Sequence, residues 1–304
     1  MMSFSPDIFD GDIAICGTDS ILGKALSKAF QSQGHKVVDI RDIHLHFTPP
    51  ELARRLSDVK AVINLYGEPY VAKWSGRYEF DIYRSRLEAL RALGIALRYT
   101  DPQPDVFLTL SNAMVYDQYD VHDEYSIEYG DSFMSEVGRM ETEEAIKIER
   151  QSFSGRLVIA RTGYIMSNDG GAFSVLSSLS KLGWGGRVND GYQCLPMIHV
   201  DDAVRAILHI LATNDAKGIF NLTIPQMASM NELVQAFADS IERNQHRLPK
   251  FLLKFFTGRA IGLLEQNCKV IPRRLTESNF NFVYENVRNI VANLQKGINP
   301  TNGY

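Results

Sequence analysis

Six short, nearly continuous apolar runs, separated by stretches of helical periodicity, constrain this chain more than any other feature. The runs cover residues 13–15, 36–40, 61–66, 106–110, 157–161 and 219–223. After the first of them, Ile21, Leu22, Ala25, Leu26, Ala29 and Phe30 recur at helical spacing. Tyr83, Leu87, Leu90, Gly94 and Leu97 repeat the pattern, and so do Phe133, Val137, Met140 and Ile148. A strand that is apolar throughout needs cover on both faces, and parallel strands need helical crossovers to supply it. The pattern therefore predicts a Rossmann-type, doubly wound parallel α/β sheet.

From about Ala228 onward the strands stop. Ser229-Met230-Asn231-Glu232 has the form of a capping box, followed by Leu233, Phe237 and Ile241 on one face. Val287, Ile290, Val291 and Leu294 form a last amphipathic stripe. Residues 167–193 are rich in Gly, Ser and Asn and read as an excursion from the sheet. The expected organisation is a sheet domain over 12–166, to which 191–224 returns. A small, mainly helical C-terminal lobe is built from 167–190 and 225–304, with a ligand cleft between the two.

Composition excludes several classes. With 304 residues the chain can bury a core without staples. Thirty-two Lys and Arg against 36 Asp and Glu give a net charge of -4, which argues against a nucleic-acid binder. No apolar run approaches the roughly 18 residues of a membrane span. The opening residues lack the basic start and apolar stretch of a signal peptide. Cys16, Cys194 and Cys268 are too few and too scattered for a disulfide framework or a metal knuckle. A cytoplasmic protein is expected. His44 and His46 have metal-like spacing without a nearby third ligand, so no metal is expected.

The first run ends in Cys16-Gly17-Thr18-Asp19-Ser20-Ile21-Leu22-Gly23, where a Rossmann fold carries its phosphate loop. Gly17, Thr18, Ser20, Ile21, Leu22 and Gly23 are the candidate dinucleotide contacts. Ser20 stands where the middle glycine is usual. Its Cβ is expected to crowd the phosphates and Asp19 to repel them. A tight turn that no longer binds a cofactor is the alternative. The second run leads into Asp39-Ile40-Arg41-Asp42. Arg41 suits the 2′-phosphate of NADP, whereas Asp39 and Asp42 keep the ribose hydroxyl of NAD open as a ligand.

At this point the sequence resembles a known family. Ala61-Val62-Ile63-Asn64-Leu65-Tyr66-Gly67-Glu68-Pro69 is similar to the INLAGEP strand end of atypical extended short-chain dehydrogenase/reductases. This is the epimerase-like branch with its own C-terminal domain, the nucleoside-diphosphate-sugar epimerase family. Arg84-Ser85-Arg86, Ile159-Ala160-Arg161-Thr162-Gly163, Asp169-Gly170-Gly171-Ala172 and Leu182-Gly183-Trp184-Gly185-Gly186 resemble further segments in order. So do Ile198-His199-Val200-Asp201-Asp202, Phe220-Asn221-Leu222-Thr223-Ile224-Pro225, and Val270-Ile271-Pro272-Arg273-Arg274-Leu275 with Phe280-Asn281-Phe282. The likeness covers roughly residues 12–296. It implies a nicotinamide cofactor, NADP ahead of NAD, with Leu65, Tyr66, Gly67, Arg161 and Thr162 joining the phosphate loop around it. By analogy it also implies a small-molecule substrate of nucleotide-sugar type.

The sequence departs from the superfamily at its chemistry. No Tyr is followed by Lys four residues later, so the usual acid/base pair is missing. Asn112 stands where a catalytic Ser or Thr is usual. The remaining candidates are Ser111, Tyr116 and Glu68. Ser111 reads as a structural or carbonyl-orienting hydroxyl, and Tyr116 as a proton donor or a packing aromatic. Glu68 reads as an acid/base or a helix-entry charge. Arg161 would bind a substrate phosphate or an internal carboxylate. His199 reads as structural, Asp201 or Asp202 as the cap of the following helix, and Arg273-Arg274 as a solvated or sheet-edge pair. Both an epimerase-like enzyme and a non-catalytic dinucleotide-binding protein remain open.

Overall fold

Along β1 (Asp12–Cys16), Ile13 and Ile15 enter one hydrophobic cluster while Ala14 and Cys16 enter another. The same division holds along β3 (Val59–Asn64), β4 (Val106–Asn112) and β6 (Arg156–Thr162). Ala61, Ile63, Val106, Leu108, Val158 and Ala160 go to the first cluster. Val62, Phe107, Leu157 and Ile159 go to the second. The two-residue period of a strand thus fills both faces with apolar side chains. The computed structural model describes residues 11–41, 47–181, 183, 188–241 and 258–298. Asp42, His44 and His46, and Leu182 and Trp184-Gly185-Gly186, lie outside the described residues.

With β2 (Val37–Ile40) and β9 (Gly218–Leu222), six parallel strands pair in the order β2-β1-β3-β4-β6-β9, and the short β5 (Val121–His122) lies outside this sheet. One face is covered by α1 (Ile21–Ser32) and α6 (Val200–Ala212). Leu22, Leu26 and Phe30 of α1, at steps of four, are essentially inaccessible. Each contributes about 1.5–3 kcal/mol of burial. The other face is covered by α2 (Pro49–Leu56), α3 (Gly76–Tyr99) and α4 (Phe133–Ser152). The buried face of α3 contains the expected Leu90, Gly94 and Leu97 together with Ala89, Leu93 and Ala96. Nearer its start the buried positions are Ile82, Ser85 and Arg86, while the expected Tyr83 and Leu87 are only partly buried.

A separate cluster joins Met166 of β7 (Tyr164–Met166), Phe173 and Leu176 of α5 (Gly171–Lys181), and Met197 of β8 (Met197–His199). It continues into Leu233 and Phe237 of α7 (Met230–Ile241), and Val287, Ile290, Val291 and Leu294 of the helix Val287–Ile298. The capping box opens α7: the Ser229 amide donates to the Glu232 carboxylate at 2.7 Å, and the Glu232 amide donates to Ser229 Oγ at 3.2 Å. At the sheet edge, Arg274 donates to the Lys217 and Ile219 carbonyls at 2.8 and 2.7 Å and lies over Phe220. This covers the unpaired side of β9.

Neither aspartate caps α6. His199 Nδ1 accepts the Asp201 amide at 3.1 Å, while the His199 ring stacks on Tyr284. Asp202 is wholly buried and turns away to accept the Val283 and Tyr284 amides at 3.1 and 2.8 Å and Arg205 Nη1 at 2.7 Å. The His199 imidazole satisfies the helix end, which leaves the Asp202 carboxylate to bind the C-terminal segment. Asp202→Ala should cost about 3–5 kcal/mol, the range for breaking a buried charged network. Urea denaturation will measure it; a loss below about 1 kcal/mol would remove this anchor from the account.

Candidate active site

The strand order places β2 and β3 on opposite sides of β1, so successive crossovers leave β1 in opposite directions. In doubly wound sheets the ligand crevice lies where such crossovers part, here at the carboxyl ends of β1 and β3. Gly17 sits there with φ +84°, and a Cβ on it would stand 3.0 Å from the Leu65 carbonyl carbon. The Leu65 amide donates to the Cys16 carbonyl at 2.9 Å. Gly17, Leu65, Tyr66 and Gly67 are thereby brought to one place. A Cβ on Gly23 would run into the Gly17 carbonyl and reach Thr18 Cα at 2.8 Å, so α1 closes tightly on the loop.

Ser20 has an ordinary extended backbone, φ -65° and ψ 160°. Its hydroxyl donates to the Gly17 carbonyl at 2.8 Å and accepts the Gly23 amide at 3.0 Å. It is the N-cap of α1, and its side chain is engaged inside the loop. The amides of Ile21 and Leu22 then have no acceptor within the helix, which leaves an electropositive helix end beside the crevice. Asp19 is exposed. Thr18 Oγ1 donates to Asp39 at 2.6 Å, and Asp39 also pairs with exposed Arg41. The Gly170-Gly171 turn approaches from the other side: a Cβ on Gly171 would be 3.1 Å from Ile21 Cδ1.

Two strands away lies a buried polar cluster. Ser111 and Asn112 at the end of β4 pair in register with Arg161 and Thr162 of β6. Glu141 of α4 and Arg86 of α3 form an ion pair at 3.2 Å, both nearly inaccessible. Arg86 also donates to the carbonyls of Ile82 and Glu68 at 3.0 and 2.8 Å and lies 4.0 Å from the Tyr70 ring centre. Burial pushes the Glu141 carboxyl up from the ordinary 4.5 to about 7, against opposing pulls from Arg86, Ser111, Asn112 and Arg161. Tyr70 Oη, Ser111 Oγ, Asn112 Oδ1, Glu141 Oε2, and Arg161 Nε and Nη1 are buried without a hydrogen-bond partner.

The sequence candidates separate by depth. Tyr116 is wholly buried, donates its hydroxyl to Asn221 at 3.1 Å and stacks on His122. Arg161 is also wholly buried, and donates to Tyr129 Oη and Thr142 Oγ1 at 3.2 and 3.4 Å. Both lie beneath the crevice. Glu68 is half-buried, with its amide on Ser85 Oγ at 3.0 Å. Since α3 begins only at Gly76, Glu68 is not a helix-entry charge. Thr162 donates to the Gly163 carbonyl. Glu141 and the pairing role of Arg86 escape a reading of motifs. Their signal is a charge set within an apolar helical stripe: Met134, Val137, Glu141, Ala145 and Ile148 share the buried face of α4.

The model of the NAD dependent epimerase/dehydratase family matches residues 13–223. The chain belongs to that family. The epimerase family protein SSP1921 of Staphylococcus saprophyticus is 29% identical over 288 residues, covering 90% of this chain and 96% of that protein. Human epimerase family protein SDR39U1 is 27% identical over 281 residues, covering 90% and 95% of the two. The crystal structure of SDR39U1 with NADPH superposes with a TM-score of 0.82 over 94% of this chain and 99% of that one, at 25% identity. UDP-glucuronic acid 4-epimerase from Bacillus cereus, solved with UDP-glucuronic acid and NAD, shares the fold at 14% identity and a TM-score of 0.73, covering 95% and 100%. Among the described residues no helix is long and apolar enough to cross a membrane, and no three metal-ligating side chains gather.

The raised Glu141 carboxyl makes stability fall with pH. Below about pH 4.5 native and unfolded chains both hold this proton. Between 4.5 and 7 the unfolded chain releases it first, so rising pH favours unfolding. The loss is on the order of 2–3 kcal/mol. Glu141→Gln should flatten the decline between pH 5 and pH 8 by that amount in urea denaturation. An unchanged slope would assign the titration elsewhere.

Proposed function

We propose that this chain binds a nicotinamide dinucleotide, NADP(H) ahead of NAD(H), and acts on a small molecule of nucleotide-sugar type as an epimerase- or dehydratase-like enzyme. The observation that carries the reading is the Gly17 turn against Leu65, joined to an α1 end whose Ile21 and Leu22 amides lack helix acceptors. A cradle that a Cβ would fill, beside a positive helix end, suits a pyrophosphate. Arg41 and Thr18 flank Asp39 at the β2 end, where the adenosine ribose is read. Arg41 would grip a 2′-phosphate, and Asp39, engaged by both neighbours, is less free for a ribose hydroxyl. NADPH in the SDR39U1 crystal structure supports this choice. When bound, the nicotinamide supplies a hydride acceptor or donor.

The protein's own residues take the remaining roles. Gly67 backs onto Arg86, which fixes the Tyr66–Glu68 turn. Ser111, enclosed in the buried cluster, takes the structural role, and Glu68 offers a half-exposed carboxylate beside the Tyr66–Glu68 turn. Tyr116 acts from beneath by holding Asn221 and the Arg161 face. In this reading the described residues of the small lobe, within 167–190 and 225–298, supply the substrate side, and those of the sheet domain, within 12–166 and 191–224, supply the cofactor side. The three free cysteines suit a cytoplasmic setting. A non-catalytic, dinucleotide-sensing role is the second reading, favoured by the missing Tyr-x-x-x-Lys and by Asn112 at the usual Ser or Thr position. Following NADPH absorbance across a panel of nucleotide sugars separates the two: turnover supports the enzyme, tight binding without turnover the sensor.

Cofactor choice is testable directly. Arg41→Ala should weaken NADPH roughly ten- to hundred-fold and leave NADH nearly unchanged, as expected for one charge-assisted hydrogen-bonding group. Asp19→Asn should tighten both cofactors a few-fold by removing a repelling charge. Isothermal titration reads both variants, and equal NADPH and NADH affinities in the unmodified protein would refute the NADP preference.

A further inference from the structure

We propose that Thr18, in the phosphate loop, sets the cofactor preference of this chain by holding Asp39 as a seat for Arg41. The proposal rests on the dinucleotide reading above. Asp39 lies opposite Ile15 in the parallel pairing of β1 and β2, and Thr18 follows just past the end of β1. The loop and the end of β2 are therefore neighbours. Thr18 Oγ1 donates to Asp39 Oδ1 at 2.6 Å, and Arg41 Nε donates to Asp39 Oδ2. A hydroxyl and a guanidinium thus take one carboxylate oxygen each. The loop's other hydroxyl serves the loop itself, since Ser20 Oγ is engaged by the Gly17 carbonyl and the Gly23 amide. Thr18 is the loop side chain that is joined to β2.

Exposure along this relay runs in the order the role needs. The Arg41 side chain is 71% exposed and that of Asp39 35%. Thr18 is half-buried. The Arg41 bond to Asp39 uses Nε, which leaves the two terminal nitrogens as donors for a phosphate. An unengaged carboxylate at the β2 end accepts a ribose hydroxyl and repels a 2′-phosphate. Asp39 is turned to Thr18 on one side and to Arg41 on the other, and the guanidinium offsets its charge. It therefore orients Arg41 instead of reading the ribose.

The two donors to Asp39 have different consequences. Loss of the Thr18 hydroxyl releases Oδ1 and frees the carboxylate to rotate. NADH then gains an acceptor for its ribose hydroxyl. NADPH meets a carboxylate no longer held away from its 2′-phosphate, and Arg41 loses its fixed seat. Loss of Arg41 alone removes the phosphate donor but leaves Oδ1 held by Thr18, so NADH gains little. Arg41 is the residue that touches the phosphate, whereas the Thr18 side chain acts through Asp39 as a positioning residue.

Isothermal titration of the full chain with NADPH and with NADH tests this without turnover. Thr18→Val keeps the branched shape and removes only the hydroxyl. It should lower the ratio of NADPH to NADH affinity by about ten-fold or more, the scale of one hydrogen bond to a charged group. NADH itself should bind more tightly than to the unmodified protein. Thr18→Ser restores the hydroxyl and should restore the ratio. In an Asp39→Ala background Thr18→Val should have no further effect on the ratio, because the group it releases is gone. A ratio that Thr18→Val leaves in place, or an effect that persists without Asp39, overturns the proposal. Parallel weakening of both cofactors also overturns it, and assigns Thr18 to the pyrophosphate they share. Failure of both cofactors to bind the unmodified protein overturns the dinucleotide reading, and the proposal falls with it.

Discussion

A buried ion pair, Arg86 to Glu141, organises the reactive end of this molecule. Taking both charges out of water costs several kcal/mol each, and the pair survives only because its geometry returns most of that. The guanidinium spends its donors on Glu141, on Ile82 of its own helix and on the Glu68 carbonyl, and packs on Tyr70. One side chain therefore ties α3, α4 and the turn after β3 to each other. Gly67 follows from this: a Cβ there would stand 2.7 Å from the Arg86 guanidinium carbon. The turn that borders the proposed cofactor crevice is shaped by a charge buried behind it.

The rest of the crevice depends on close main-chain approach. Gly17 against Leu65 and Gly23 against Thr18 bring loop, strand and helix nearer than side chains allow. The Gly170-Gly171 turn reaches Ile21 from the other wall. Its helix, α5, shares a core with α7 and the helix Val287–Ile298. Asp202 then clamps the approach to that last helix onto the start of α6. Residues distant in sequence are thus held near one helix end by a chain of small residues and buried carboxylates.

The sheet was legible because apolar runs report burial directly: all six correspond to strands of the central sheet, within a residue or two at their ends. The glycine pattern and the Asp39-to-Arg41 segment point to the adjoining ends of β1 and β2, since turn geometry has few chemical solutions. Polar residues inside helices were not legible. A lone Arg or Glu in a helix is normally solvated, so Arg86 and Glu141 read as surface charge until α3 and α4 are seen packed together. On α3 the apolar spacing finds the buried Leu90, Gly94 and Leu97, but it points to Tyr83 and Leu87 where Ser85 and Arg86 are the buried positions. Ser20 and Asp202 show the same ambiguity. A hydroxyl or carboxylate beside a helix start can cap it, bind a ligand or reach elsewhere, and only the positions of competing groups decide.

The change in chemistry across α4 has a steric side. A Cβ on Gly138 would stand 2.9 Å from Val115 Cβ and 3.0 Å from Asn112 Nδ2, so the helix lies directly against the segment that follows β4. Glu141 is three residues further on, on the same face. A helix held this close has no room for a large side chain at Gly138, and it carries the carboxylate of Glu141 in toward Ser111 and Asn112. Gly138, Glu141 and Asn112 therefore belong to one arrangement. A larger side chain at Gly138 would require the helix to withdraw from the segment after β4, and that movement would strain the Arg86–Glu141 contact.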